Sequence, residues 1–172
     1  MTRYRNRQAP GSKYVTREGH DRLRKELDTL WRVQRPEVTR AVAEAAAQGD
    51  RSENAEYIYG KKQLREIDRR VRFLRKRLEG MVVVSRSPDD VSRIYFGAWV
   101  RLEDEDGSET EVRIVGPDEI EPARRHISMD SPLARALMGK QCHDEIALEV
   151  PGGERSYVVT GIRYESAEDV HS

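Results

Sequence analysis

Two carboxylates three residues apart, Asp50 and Glu53, stand in the run Gly49-Asp50-Arg51-Ser52-Glu53-Asn54-Ala55-Glu56-Tyr57. Such a pair suits two different jobs. One is structural: an Asp at a helix N-cap with a Glu three residues on forms a capping box, which satisfies the free N–H groups of a first helical turn. The other is chemical. Mg²⁺ takes oxygen ligands, keeps several waters and often binds only one or two protein carboxylates. Phosphodiester hydrolysis with two such ions needs them about 4 Å apart, clamping the attacking and leaving oxygens. On spacing alone, capping is the simpler reading.

What positions the pair favours more than a cap. Upstream, Thr16 suits an N-cap and Glu18 a first helical turn. Leu23, Leu27 and Leu30, then Val38, Val42 and Ala45, draw one apolar stripe. Pro36 interrupts the stripe and predicts a bend or a lost hydrogen bond. Ala-rich residues 41–47 give a slender helical end, and Gly49 suits a left-handed stop. Downstream, Tyr57, Gly60, Leu64, Ile67, Val71, Leu74, Leu78 and Met81 alternate at spacings of three and four, the seam of a coiled coil. A short connection makes the two helices antiparallel neighbours. A first helix of about 30 residues is roughly 45 Å long. Asp50 and Glu53 then sit on the exposed tip of a hairpin, where carboxylates can be delivered into another molecule's pocket.

Lys61, Lys62 and Arg65 lie close to that tip and share one side of the second helix. Arg69, Arg70, Arg72, Arg75, Lys76 and Arg77 follow. These cations suit either phosphate contact or a solvated flank, partly paired with Glu66 and Asp68. The net charge of zero hides a division. Residues 1–87 carry 22 Lys+Arg against 12 Asp+Glu, and residues 88–172 carry 9 against 19. A basic arm on an acidic body favours a nucleic acid or an acidic protein channel as partner.

Residues 1–13 are polar and basic and are expected to be a flexible tail; 14–84 form the hairpin domain, 85–92 a linker, and 93–166 a second domain. That domain reads as α+β, an antiparallel sheet with one short helix. Residues 96–103 and 109–115 flank an Asp-Glu-Asp-Gly turn, and 146–150 and 156–164 flank Pro151-Gly152-Gly153. Ser131 as N-cap, Pro132 at the first helical position and Gly139 past the end frame the helix. Trp31 is expected to pack at the hairpin base and Trp99 in the sheet. The single cysteine, Cys142, allows no internal disulfide and fits a reducing cytoplasm. The adjacent Cys142 and His143 lack the partners of a metal cluster. No stretch reads as a signal peptide or a membrane span.

The tip run, followed in order by Ser131-Pro132-Leu133-Ala134-Arg135-Ala136-Leu137-Met138-Gly139-Lys140, resembles the bacterial transcript cleavage factors GreA and GreB from about Tyr14 to Tyr164. Residues 58–61, 65–70 and 130–132 lean towards the GreB branch. The resemblance implies a coiled-coil hairpin and an FKBP-like C-terminal domain. It implies a monomer that binds RNA polymerase at its secondary channel and inserts the hairpin tip. There the tip would stimulate the polymerase to cleave the 3′ end of backtracked nascent RNA. Asp50 and Glu53 would then be catalytic and share a Mg²⁺ with the polymerase, with no metal expected in the free protein. Ser52 would help position water or RNA. Lys61, Lys62 and Arg65 would contact RNA, and Asp130, Ser131 and Pro132 would contact polymerase. The resemblance carries one departure: glycine is common in related sequences where His143 stands. A channel-binding regulator of the same fold that inhibits without cleavage is the main alternative. A prolyl isomerase would need an aromatic-lined pocket, which a chain with 6% aromatics hardly supplies. A coiled-coil scaffold would leave the acidic tip unexplained.

Overall fold

The computed structural model describes residues 11–50 and 53–165. The chain forms two compact units, Glu18–Met81 and the segments on either side of it. In the first, α1 (Arg17–Thr29), a π-helical segment (Leu30–Gln34) and α2 (Arg35–Ala47) run on as one helical limb, and α3 (Ala55–Glu79) returns. The break predicted at Pro36 is taken up just upstream of it. Proline has no N–H to donate and its ring crowds the carbonyl four residues back. The backbone widens into a π-turn there and stays helical through the proline.

The predicted seam is the buried one. Val38, Ile67 and Val71 form a core flanked by the partly buried Leu27, Leu30, Val42 and Leu64. Gly60 is buried where α2 and α3 approach closely: a Cβ built on it would lie 2.7 Å from Val42 Cγ2. Ion pairs join the limbs, among them Arg35 Nε to Asp68 Oδ1 at 2.8 Å and Arg70 with both carboxylate oxygens of Glu26 at 2.6 and 3.0 Å. Trp31, expected to pack at the hairpin base, lies on the surface of the helix pair. It is 44% exposed, with the guanidinium carbons of Arg75 and Arg35 at 4.4 and 5.2 Å from its ring centroid. A limb only two helices thick has no interior deep enough for an indole at that register.

The flanks counted with the hairpin in a 14–84 domain belong to the other unit. There, β1 (Tyr14–Thr16) and β2 (Val82–Val84) pair in parallel. Ser12 and Lys13, expected within a flexible tail, are tied down as well: the Ser12 N–H donates to Asp130 Oδ2 at 2.9 Å, and the Lys13 carbonyl accepts from the Val82 N–H at 2.9 Å. The larger sheet comprises β3 (Trp99–Asp104), β4 (Glu109–Val115), β5 (His126–Ser128), β6 (Glu145–Val150) and β7 (Gly153–Arg163), in the order β5-β4-β3-β7-β6. All its pairings are antiparallel except β4 with β5, which is parallel and was not expected. The short α4 (Pro132–Leu137) supplies Ala134 and Leu137 to a core with Ile94, Val100, Leu102, Ile114 and Val159.

Buried Glu119 holds β1 in place. Its Oε2 accepts from the Thr16 N–H at 3.0 Å and the Gly116 N–H at 2.8 Å, and its Oε1 accepts from the Thr16 hydroxyl. Thr16, expected as a helix cap, ends β1 and donates to a buried carboxylate. Trp99 lies in the sheet as expected, its indole N–H donating to Glu165 Oε1 at 3.0 Å.

Candidate functional site

The hairpin loop carries the candidate chemistry. The first limb ends at Gln48, whose N–H donates to the Ala45 carbonyl at 3.2 Å. Gly49 follows, but not in the left-handed conformation expected of it: it is absent from the positive-φ residues. Beyond it, the Glu53 N–H donates to the Asp50 carbonyl at 3.3 Å.

The cap of α3 is Asn54, not the Asp50–Glu53 box. Asn54 has an extended backbone, and its Oδ1 accepts from the Tyr57 N–H at 3.2 Å. Its Nδ2 donates to the Ala45 carbonyl at 2.6 Å, so one side chain closes the start of α3 onto the end of α2. The signal was in the sequence, since Asn is among the best N-cap residues and Ala-Glu follows it. The Asn54 cap leaves Asp50 and Glu53 upstream of the helix, both exposed. Among the described residues the Glu53 carboxylate has no hydrogen bond or ion pair. Ser52 lies outside the described residues.

These acids fit a shared Mg²⁺ better than an enclosed one. Both residues are exposed, and among the described residues no group of three His, Cys, Asp or Glu converges on one point. Two carboxylates leave most of an octahedral shell to water or another molecule.

Lys61, Lys62 and Arg65 follow on α3, Lys61 half-buried and the other two exposed. Among the described residues none of the three has a carboxylate partner. The expected pairing of the basic flank with Glu66 and Asp68 is replaced by pairs across the limbs: Asp68 meets Arg35 of the first limb, and Arg70 meets Glu26. Ile58 and Tyr59, also near the loop, are 51% and 68% exposed.

Asp130, Ser131 and Pro132 lie together in the sheet unit. The Ser131 hydroxyl accepts from the Ala134 N–H at 3.2 Å and caps α4, and Pro132 occupies a first-turn position. Asp130 accepts from the N–H and the hydroxyl of Ser12, so it organises the N-terminal segment within its own unit. His143 sits at φ 73, a left-handed conformation that explains why glycine suits this position. Exposed Cys142 beside it is part of no metal cluster among the described residues.

An acidic hairpin loop on a coiled coil, joined to a mixed sheet with a Ser-Pro-capped helix, defines the class. Family models described as the N-terminal and C-terminal regions of the GreA/GreB transcription elongation factors match residues 13–83 and 88–164. The chain belongs to the GreA/GreB family of transcription elongation factors. Its similarity runs to the GreB branch. It is 59% identical over 167 residues to transcription elongation factor GreB of Pseudomonas aeruginosa, covering 97% of this chain and 99% of that one. It is 59% identical over 153 residues to GreB of Yersinia pestis, covering 89% and 90%. Among solved structures, the GreA factor homolog 1 (Gfh1) protein of Thermus thermophilus aligns at 27% identity with a TM-score of 0.40, covering 87% and 97%. No helix among the described residues is long and apolar enough to cross a membrane.

Proposed function

We propose that this elongation factor stimulates cleavage of backtracked RNA by RNA polymerase, delivering Asp50 and Glu53 on the hairpin loop to the polymerase active site through its secondary channel. The protein is not itself the nuclease in this reading; it completes a site whose other parts belong to the polymerase. The observation that carries the proposal is the Asn54 cap, which relieves the exposed Glu53 of a capping role and fixes where the loop ends. When bound, a Mg²⁺ shared with the polymerase supplies Lewis-acid stabilisation of the phosphodiester oxygens. Asp50 and Glu53 contribute oxygen ligands to it, and Ser52 assists with water or RNA. Lys61, Lys62 and Arg65 offer charge to the phosphates of the extruded strand. Asp130, Ser131 and Pro132 form part of the polymerase-facing surface, held in shape by the α4 cap and by Ser12.

The test is RNA cleavage in a purified backtracked polymerase complex with Mg²⁺. Wild type should cleave rapidly, and Asp50→Ala and Glu53→Ala should bind polymerase but lose stimulation. Charge reversal at Lys61, Lys62 and Arg65 should weaken cleavage of long extruded RNA more than short. Binding by wild type without any stimulation would instead identify an inhibitory channel-binding regulator.

A further inference from the structure

A second feature of the hairpin lies apart from the acidic loop. Residues of α1, the π-segment and the last turns of α3 line an open groove of about 770 Å³, within the usual size range of small-molecule sites. Leu27 and Leu78 give it an apolar lining, and the 44%-exposed Trp31 gives it an aromatic wall. The Arg75 guanidinium lies 4.4 Å from the Trp31 ring centroid, so the two groups make a composite stacking surface.

The charges around the groove are unbalanced. Asp28 is matched by Arg32 at 2.7 Å. Arg24, Lys25 and Arg75 remain, opposed only by Glu79 among the lining carboxylates, and among the described residues none of these three cations has a carboxylate partner. Elsewhere on the hairpin, Arg35 and Arg70 do pair with carboxylates. Exposed cations converging beside an apolar and aromatic wall suit a ligand with a planar part and a strongly anionic part. A base stacks on an aromatic ring or a guanidinium plane, and phosphate takes the remaining cations.

We propose that the Trp31–Arg75 groove binds a nucleotide unit, a planar base joined to phosphate, as a free nucleotide or as part of single-stranded RNA. The site is independent of the acidic loop and needs no metal there.

The test uses the full chain and NMR of its two tryptophan indole N–H signals, with Trp31 assigned through Trp31→Phe. ATP, short oligo(A) and inorganic triphosphate are titrated separately at physiological salt. A shift of the Trp31 signal by ATP and oligo(A) alike assigns a site for nucleotide units from either source; a shift by oligo(A) alone assigns an RNA site. Arg75→Ala should weaken binding about tenfold, the scale of one lost charge-assisted contact with its stacking. The joint variant Arg24→Ala, Lys25→Ala, on the other limb, should weaken it too, while Arg69→Ala should not. No shift with either nucleotide probe, triphosphate binding as tight as ATP, or binding unchanged in both groove variants would overturn the assignment.

Discussion

The assignment of the α3 cap makes a prediction that separates folding from chemistry. Asn54→Ala removes two contacts at once. The first is the cap from Oδ1 to the Tyr57 N–H at 3.2 Å, a loss that typically costs about 1 kcal/mol. The second is the 2.6 Å bond from Nδ2 to the Ala45 carbonyl, a half-buried hydrogen bond that contributes about another 1 kcal/mol. A loss near 2 kcal/mol lowers the melting temperature of a chain this size by about 4–8 °C. Glu53→Ala should change stability by no more than about 0.5 kcal/mol, as exposed substitutions usually do. Circular dichroism of the helices on heating and in urea reads both, and amide exchange at Tyr57 shows whether the loss begins at the cap. If Glu53 were the far half of a capping box with Asp50, Glu53→Ala would lose about as much as Asn54→Ala. That result, or an unchanged Asn54→Ala, would refute the placement of the cap and with it the main support for a chemical role of the acids.

Gly60→Ala should destabilise the hairpin by about 1 kcal/mol in a urea melt: overpacking against the stiff, β-branched Val42 costs about 1–3 kcal/mol, and the gain in helix propensity returns about 1. Adding Val42→Ala should recover most of that loss. Glu119→Ala strands three donors around a buried carboxylate site and should cost about 3 kcal/mol, with faster amide exchange at Thr16 and Gly116. The imidazole of His126 titrates below its usual range, chiefly because burial disfavours its charged form and then because Arg113 is near. The unfolded chain therefore takes up this proton first as pH falls, so the contribution is present above about pH 6.5 and is lost below it. The urea midpoint should drop between pH 7.5 and 5.5 by less in His126→Gln than in wild type.

The sequence by itself determined the hairpin seam, the acidic run between its helices, the Ser131-Pro132 frame of α4 and both glycine-bearing turns of the sheet. Those features rest on contacts between residues near in sequence, so periodicity and turn chemistry express them. Tertiary structure decided the rest. Val82–Val84 has no strand signature of its own beyond three valines, and it becomes a strand because Tyr14–Thr16, on the other side of the hairpin in sequence, pairs with it. Glu119 looks like one more surface acid until the Thr16 and Gly116 donors converge on it. Trp31, expected to pack at the hairpin base, is left 44% exposed by a helix pair too thin to enclose an indole, with two arginines against its ring. At the loop, Asp50 and Asn54 could each have capped a helix. The choice of Asn54 depended on the Ala45 carbonyl, which only the folded-back helix brings within reach. A side chain's second hydrogen-bond partner is set by the path of the whole chain, and local propensity carries no record of it.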